Sequence, residues 1–502
     1  MEPTSLRGRT LSGVLWMSVD RLLLFGVAAV VTAVLARLLP PADFGVVGAA
    51  LVAVEIVSQI VNAAVTPALV QRAEATRAHF SAAFWLSVGL SAVLYGAVWT
   101  ASPLVAGFFE MPALLSILPA LALLFVFDGV SAVARARQQR ALAFREVVII
   151  RAVADVVGLG AVSIGMALAG YGVWALVGGR LAQSVLRAVG FLARFPHPVR
   201  GARGSALRDI VRFGGGITLQ GALNSLARQG DALIIGRLLG ANALGLYNRS
   251  YKMMALPAGF LAESFNGVLF PVMAQVQDRR ESLHNALVRT TALLALLLLP
   301  LTGVASVLAQ EVVLVVLGPD WRGAIGALQI LALGMFFRAG YKTGMAVLKA
   351  RGRVYLAAWL QGIYAVLVVV GSLIGWRYGI EGVAASAVIA VVTFFVLCTV
   401  AAVRETGGRV WPLATAMLPG IAVAIVGTLL AYGAAIPLRE VRISPLATLL
   451  AGSAAAGSVW LVALAFAPSL LGQHGRWLRA MVTSAVDRAS DFTSAERRSA
   501  DP

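Results

Sequence analysis

Long runs of apolar residues, separated by short clusters of Gly, Pro and Arg, extend over most of the chain. Most runs reach the roughly 20 residues that an α-helix needs to cross the hydrocarbon core of a bilayer. Because lipid offers backbone groups no hydrogen-bond partner, runs of this length fold as helices there. The pattern predicts fourteen spans, at residues 11–38, 44–70, 81–102, 113–134, 146–169, 172–195, 209–239, 244–275, 283–308, 324–350, 354–376, 380–403, 411–433 and 446–468.

The loops between these spans alternate between rich and poor in Arg and Lys. Cytoplasmic loops of membrane proteins carry an excess of basic residues, and here the basic side is the side of both termini. We therefore expect a multi-pass protein of the bacterial inner membrane with its N- and C-termini in the cytoplasm. The basic residues that do not fit this pattern lie within the predicted spans.

Composition supports a membrane protein and excludes several other classes. Of 502 residues, 59% are hydrophobic and 13% are charged, and the mean hydropathy is +0.86, which is too apolar for a soluble domain. The formal charge of +18 is spread over short loops without interleaved aromatic residues, so we expect no nucleic-acid partner. The single cysteine and the scattered histidines predict neither a disulfide nor a metal site.

The chain also repeats itself at a shift of 200 residues. Residues 36–39 followed by Gly45 match residues 236–239 followed by Gly245, so spans 1 and 2 correspond to spans 7 and 8. We predict an all-α fold with two pseudo-symmetric six-helix lobes of the same orientation around a central cavity, plus two C-terminal helices. The predicted division is a cytoplasmic N-terminus at 1–10, an N-lobe at 11–195, a cytoplasmic loop at 196–208, a C-lobe at 209–404, spans 13 and 14 at 411–468, and a partly disordered cytoplasmic tail at 469–502.

Basic side chains within the spans are the candidate binding residues, because a charge at bilayer depth costs about 3 kcal/mol unless it faces a cavity or a partner. The predicted anion-binding set is Arg21, Arg180, Arg228, Arg249, Lys252, Arg338 and Lys342. Arg338 and Lys342 share one helix face at a spacing of four. Arg249 and Lys252 do so at a spacing of three. Neither pair has an acid within four residues, so each pair could clamp a phosphate group.

Acidic side chains within the spans are candidates for coupling transport to an H⁺ or Na⁺ gradient: Asp20, Glu55 and Asp231. An interhelical salt bridge explains Glu55 equally well. For Arg151 with Asp155, and for Arg228 with Asp231, we favour local neutralisation at helical spacing. No cofactor is expected.

Four stretches resemble a known family: VLARLLPPADFGVV from Val34, ALIIGRLLGANALGLYNRSYKMMALP from Ala232, VLFPVMAQVQD from Val268 and LGPDWRGAIGALQILAL from Leu317. In this order they are similar to the polysaccharide transporter branch, the Wzx/WzxC-type oligosaccharide flippases or lipopolysaccharide biosynthesis proteins, of the multidrug/oligosaccharidyl-lipid/polysaccharide (MOP) superfamily. The resemblance spans about residues 10–405. It implies a MATE-like bundle of two lobes, a lipid-diphosphate glycan as cargo and a cation gradient as the driving force. The family has no catalytic signature, and we interpret the four stretches as structural.

Charge and resemblance together predict a transporter rather than an enzyme. The predicted function is translocation of a polyprenyl-diphosphate-linked oligosaccharide repeat unit, a precursor of O-antigen, exopolysaccharide or capsule, from the cytoplasmic to the periplasmic leaflet by alternating access. The expected partners are the lipid-linked oligosaccharide, membrane lipid and a polysaccharide polymerase or export complex. The first alternative is a cation-coupled multidrug antiporter of the same superfamily. The second is a membrane polysaccharide polymerase or ligase, which needs larger extramembrane loops than those predicted.

Overall fold

The computed structural model describes residues 26–71, 76–141, 143–200, 228–275 and 279–466. Within these ranges the chain forms helices and no β-strand. Eight of the helical segments described are long and apolar enough to cross a membrane. The predicted all-α, multi-pass fold is confirmed.

The helices of the first half coincide with the predicted spans. They are α1 (Gly26–Leu38), α2 (Pro41–Gln71), α3 (Arg77–Phe109), α4 (Leu114–Ala141), α5 (Phe144–Val153 and Ser163–Leu168, joined by the π-helical segment Ala154–Val162), α6 (Val173–Arg194) and α7 (residues 228–238). Predicted spans 1 and 7 are described only in part, since residues 11–25 and 209–227 lie outside the described ranges. The total of fourteen spans therefore stays a prediction.

The second half contains the remaining elements. They are α8 (Gly240–Gln275), α9 (Arg280–Val307), α10 (Ala309–Val316), the 3₁₀ segment Pro319–Ala324, α11 (Ile325–Leu333), α12 (Met335–Ala350), α13 (Val354–Gly375), α14 (Gly379–Thr406), α15 (Trp411–Glu440) and α16 (Pro445–Phe466). The apolar stretch Val354–Thr406 is 53 residues long, far more than one crossing requires. A 3₁₀ turn at Trp376–Tyr378 divides it into α13 and α14, as the sequence predicts.

Two details were not predicted from the sequence. The short helix α10 and the 3₁₀ segment follow α9 where we expected a loop. Predicted span 10 is two helices, α11 and α12, with a break at Gly334. Both details lie next to the stretch that begins at Leu317, so this part of the sequence serves packing as well as crossing.

The described residues form two compact units. Unit 1 contains those up to Ser250, together with Val316–Ala324 and Ala365–Ser386. In its core α4 packs against α2, α3 and α6, and α6 packs against the π-helical segment. Because these units are defined by contacts and the predicted lobes by sequence repetition, the lobe boundaries stay a prediction.

Trp321 is the largest fully buried side chain of unit 1. Its indole Nε1 donates a hydrogen bond to the carbonyl oxygen of Ala36, at 2.8 Å. Its ring meets that of Phe44 edge to face, with centroids 5.2 Å apart. In addition, the Ser250 hydroxyl donates to the carbonyl oxygen of Ala324, at 2.8 Å. Three of the four stretches that resemble the family, those from Val34, Ala232 and Leu317, thus contact one another inside unit 1.

Unit 2 contains Tyr251–Val315, Ile325–Tyr364 and the described residues from Ala387 onward. In this unit α9 packs against α15, and α15 packs against α16. The approach is close because Gly303 of α9 lies against the Thr428 side chain. The buried carboxylate of Glu311 accepts two bonds of 2.7 Å from Arg439 at the end of α15. The two C-terminal helices are therefore integral to unit 2.

Candidate functional site

A buried carboxylate organises the basic residues of α6. A Cβ on Gly158 would overlap the backbone of Gln183, so the π-helical segment and α6 touch there. This approach brings Asp155, whose side chain is 7% exposed, against Arg187 at 2.6 Å. The Gln183 amide donates to the same carboxylate oxygen at 2.5 Å, and Arg180 donates to the Gln183 amide oxygen at 3.1 Å.

Arg249 of α8 is a further arginine of the same unit. Its guanidinium stacks on the Phe44 ring, with Cζ 4.3 Å from the ring centroid. The Arg249 guanidinium lies within electrostatic range of that of Arg180. Among the described residues neither of the two forms an ion pair. Two like charges within range of each other, neither in a direct ion pair, favour binding of an anion.

We name Arg180, Arg187, Arg249, Asp155 and Gln183 the cationic cluster. All five belong to unit 1. Three arginines and one aspartate leave two positive charges without a counter-charge among the described residues. Because guanidinium groups bind phosphate oxygens through paired N–H donors, the cluster has the chemistry of a phosphate site.

Arg228 forms a different ion pair from the one favoured on sequence grounds. Its guanidinium binds Glu55 at 3.0 Å, and the Gln229 amide donates to the second oxygen of Glu55 at 2.8 Å. Asp231 instead accepts a hydrogen bond from the Tyr247 hydroxyl, at 2.7 Å. The predicted local pairing of Arg228 with Asp231 is therefore wrong. Arg228 binds Glu55 of α2 instead, and Asp231 binds Tyr247 of α8.

The favoured pairing of Arg151 with Asp155 is wrong for a similar reason. Asp155 points at α6, where Arg187 and Gln183 bind it, whereas Arg151 is exposed. Helical spacing alone does not decide a partner, since a residue on a neighbouring helix competes for the same carboxylate.

A second group of candidates lies in unit 2. The Arg338 guanidinium stacks on the Tyr251 ring at 4.5 Å and forms no ion pair among the described residues. Lys342 follows on the same helix, α12, and Lys252 follows Tyr251 on α8. The stack on Tyr251 brings Arg338 of α12 to α8, next to the position of Lys252.

The remaining site predictions have a plain outcome. Arg21 and Asp20 lie outside the described residues. Asp155, Gln183 and Phe44 are additions from the structure. The pair Gly158 and Gly179 carries a signal for them, because small residues mark close helix crossings. Within the described part of the chain, no group of His, Cys, Asp and Glu side chains could hold a metal ion.

Comparison with known proteins decides the family. Residues 34–326, more than half of the chain, match the sequence profile of the family described as "Polysaccharide biosynthesis protein". The chain belongs to this family. Such membership agrees with the resemblance read from the sequence.

Three relatives illustrate the family. The lipopolysaccharide biosynthesis protein WzxC of Escherichia coli (strain K12) is 27% identical over 70% of this chain and 72% of its own. The teichuronic acid biosynthesis protein TuaB of Bacillus subtilis (strain 168) is 26% identical over 63% of this chain and 68% of its own. The succinoglycan biosynthesis transport protein ExoT of Rhizobium meliloti (strain 1021) is 25% identical over 73% and 74%.

Two solved structures share the fold of this family member. The lipid II flippase MurJ, in an inward closed conformation, has a TM-score of 0.72 at 13% identity, with 90% of this chain and 97% of that chain covered. A multidrug resistance MATE family transporter of the MOP superfamily, facing inward, has a TM-score of 0.58 at 17% identity, with 80% and 99% covered. The predicted MOP fold is confirmed.

Proposed function

We propose that this protein is a flippase that moves a polyprenyl-diphosphate-linked oligosaccharide from the cytoplasmic to the periplasmic leaflet of the inner membrane. The family supports a role in polysaccharide biosynthesis. Among its relatives, ExoT is described as a succinoglycan biosynthesis transport protein, and MurJ, which shares the fold, is described as a lipid II flippase. The protein is a transporter and not an enzyme.

The observation that carries this proposal is an excess of guanidinium groups: Arg180, Arg187 and Arg249 belong to one cluster, in which Asp155, paired with Arg187, is the single carboxylate among the described residues. A cation buried in a membrane protein is costly unless a ligand or counter-ion offsets the cost. A diphosphate diester carries two negative charges, which equals the excess charge of the cationic cluster. The substrate would therefore complete the charge balance of the site.

The mechanism follows from this charge match. The diphosphate binds between the guanidinium groups of Arg180 and Arg249, each donating two N–H groups. The oligosaccharide occupies aqueous space. The polyprenyl chain moves between the leaflets within lipid, so no apolar surface is exposed to water. Alternating access, which the family resemblance implies, then exposes the bound head group to the periplasm. The other proposed substrate-binding residues are Arg21, Arg228, Lys252, Arg338 and Lys342.

The driving force is proposed to be an H⁺ or Na⁺ gradient. Asp20, Glu55 and Asp231 are the candidate coupling residues. Glu55 is bound to Arg228, so a cation that neutralises Glu55 would release a guanidinium group for the substrate. Cytoplasmic termini and association with a polymerase or export complex complete the proposal.

The alternative functions are less well supported. A multidrug antiporter for cations needs an acidic cavity, whereas the cluster carries excess positive charge. A polymerase or ligase needs a constellation of catalytic groups around a sugar, and the family relatives named above are not described as such enzymes.

Translocation in proteoliposomes tests the proposal. A fluorescent polyprenyl-diphosphate oligosaccharide is incorporated in both leaflets. A membrane-impermeant quencher is added outside, and the loss of the fluorescence protected in the inner leaflet measures translocation. We expect R180Q/R249Q to translocate at least about tenfold more slowly, because each charge-assisted bond contributes about 1.5–3 kcal/mol. R338Q/K342Q tests the second group in the same way. The matched control is R377Q, at an exposed position in the turn between α13 and α14.

The two parts of the proposal fail separately. Wild-type protein that leaves the labelled oligosaccharide in place while it moves a cationic dye would replace the flippase with the multidrug antiporter. Wild-type translocation that R180Q/R249Q preserves would keep the flippase and remove the site.

A further inference from the structure

Asp155 is a carboxylate inside a site that selects anions. It lies in the first turn of the π-helical segment, between Arg187 and Gln183 of α6. Both hydrogen bonds reach the same oxygen, Oδ1. A carboxylate there repels the diphosphate that the cluster is proposed to bind, so its presence needs a physical reason beyond binding.

Arg187 has spare donor capacity while it is bound to Asp155. Its side chain is 37% exposed, and its Nε is buried without a hydrogen-bond partner. A buried donor without an acceptor is unfavourable in the folded state. Arg187 can therefore donate to a second oxygen in addition to, or in place of, that of Asp155.

We propose that Asp155 is a positioning residue that competes with the substrate's diphosphate for Arg187 and so permits release of the substrate after translocation. The inference rests on the proposed function. With Arg187 held by Asp155, only Arg180 and Arg249 remain to match the two charges of a diphosphate diester. Without the carboxylate a third cation joins them, and the head group binds too tightly to leave.

This role differs from that of a simple structural salt bridge. A transport site must bind strongly enough to load and weakly enough to unload. The Gln183 amide links the same carboxylate oxygen to Arg180. An exchange of partners at Asp155 therefore also changes the hydrogen bonding of Arg180. Asp155 thus sets the affinity of the cluster without touching the substrate.

The test uses purified full-length protein in nanodiscs, and the probe is a farnesyl-diphosphate-linked glucose, which is a diphosphate diester. We expect D155N to bind the probe on the order of fivefold more tightly, because the guanidinium released from one ion pair becomes available to the phosphates. In the translocation assay the same variant should have a lower KM and a lower turnover rate. R187Q should act in the opposite direction and bind the probe several-fold more weakly.

The double variant D155N/R187Q separates competition from structure. It lacks the released cation, so the gain in affinity of D155N should disappear. The matched control is D128N, which removes the carboxylate of another ion pair, that of Arg135 with Asp128 at 2.7 Å on α4, and should leave the affinity for the probe unchanged.

The outcomes separate this inference from the function beneath it. Wild-type protein that does not bind the probe would overturn the diphosphate site and this role together. Wild-type binding with D155N equal or weaker, or a gain in D155N that persists in D155N/R187Q, would overturn the competition alone. A D155N variant that loses thermal stability without a change in KM would assign Asp155 a structural role instead.

Discussion

Gly45 of α2 and Gly245 of α8 each lie against the carbonyl oxygen of the residue four positions before the other. A Cβ on Gly45 would overlap the oxygen of Ala241, and a Cβ on Gly245 would overlap the oxygen of Pro41. Gly45 and Gly245 are also equivalent positions of the internal repeat. The contact is therefore reciprocal, as expected where two copies of one motif cross about a local twofold axis.

Alanine at either glycine should destabilise unit 1. The added methyl group meets backbone atoms, which cannot rotate away, so the helices must separate. We expect G45A and G245A each to cost about 1–3 kcal/mol or more, with a lower unfolding temperature in detergent.

The matched control for these variants is G96A in α3. A Cβ at Gly96 would meet no atom within 4 Å, and replacing an interior helical glycine with alanine stabilises a helix by about 0.5–1 kcal/mol. An equal loss of stability in G96A and G45A would contradict the reciprocal crossing.

Trp321 should have a graded substitution series. W321A removes a fully buried ring and is expected to cost about 3–5 kcal/mol. W321F keeps an aromatic ring near Phe44 but leaves the Ala36 carbonyl oxygen without its donor. This variant should lose about 1–3 kcal/mol of stability relative to wild type. Thermal unfolding in detergent should place W321F between W321A and wild type.

Trp359 provides the control for this series. Its side chain is 75% exposed on α13, so W359A should change stability by less than about 0.5 kcal/mol. If W321A and W359A unfold at the same temperature, Trp321 does not hold the 3₁₀ segment in unit 1.

The pair of Glu55 with Arg228 separates a structural bridge from ion coupling. The pair is half exposed, so it contributes at most about 1 kcal/mol to stability. We expect E55Q to lose the stimulation of translocation by an imposed H⁺ or Na⁺ gradient. The swap E55R/R228E keeps one charge of each sign at the two positions, and we expect that it does not restore the stimulation. Rates are measured with and without the gradient in proteoliposomes.

The control is E405Q, which breaks the ion pair of Arg353 with Glu405 and should keep the response to the gradient. Gradient stimulation that survives in E55Q would remove Glu55 from the coupling mechanism and leave it as an interhelical bridge.

Hydropathy predicted the helices well because crossing a bilayer constrains each segment separately. The break between α13 and α14 is an example, since Tyr378 and Gly379 interrupt the apolar run. Partners of buried charges depend on neighbouring helices instead, and for that reason Asp155 and Arg228 had other partners than their sequence neighbours. Arg180 and Arg249 were candidates by charge and depth, but that both belong to one unit with Asp155 follows only from the fold.

His197, after the end of α6, should make the stability of the protein depend on pH. Its ring packs against Phe84, with centroids 5.0 Å apart. Burial, and then the nearby Arg137, hold the pKa of His197 below its usual value of 6.5. The folded state therefore favours the neutral ring, and the unfolded state takes up a proton first as the pH falls. The free energy of unfolding is expected to be largest above pH 6.5 and to fall as the pH drops below that value.

H197F keeps the packing on Phe84 and removes the titration, so its unfolding temperature should fall less than that of wild type between about pH 7.5 and about pH 5.5, where Asp and Glu stay mostly ionised. Between about pH 7.5 and about pH 8.5 both proteins hold a neutral side chain at this position and should respond alike. An equal fall in both proteins at low pH would place the pH dependence elsewhere in the chain.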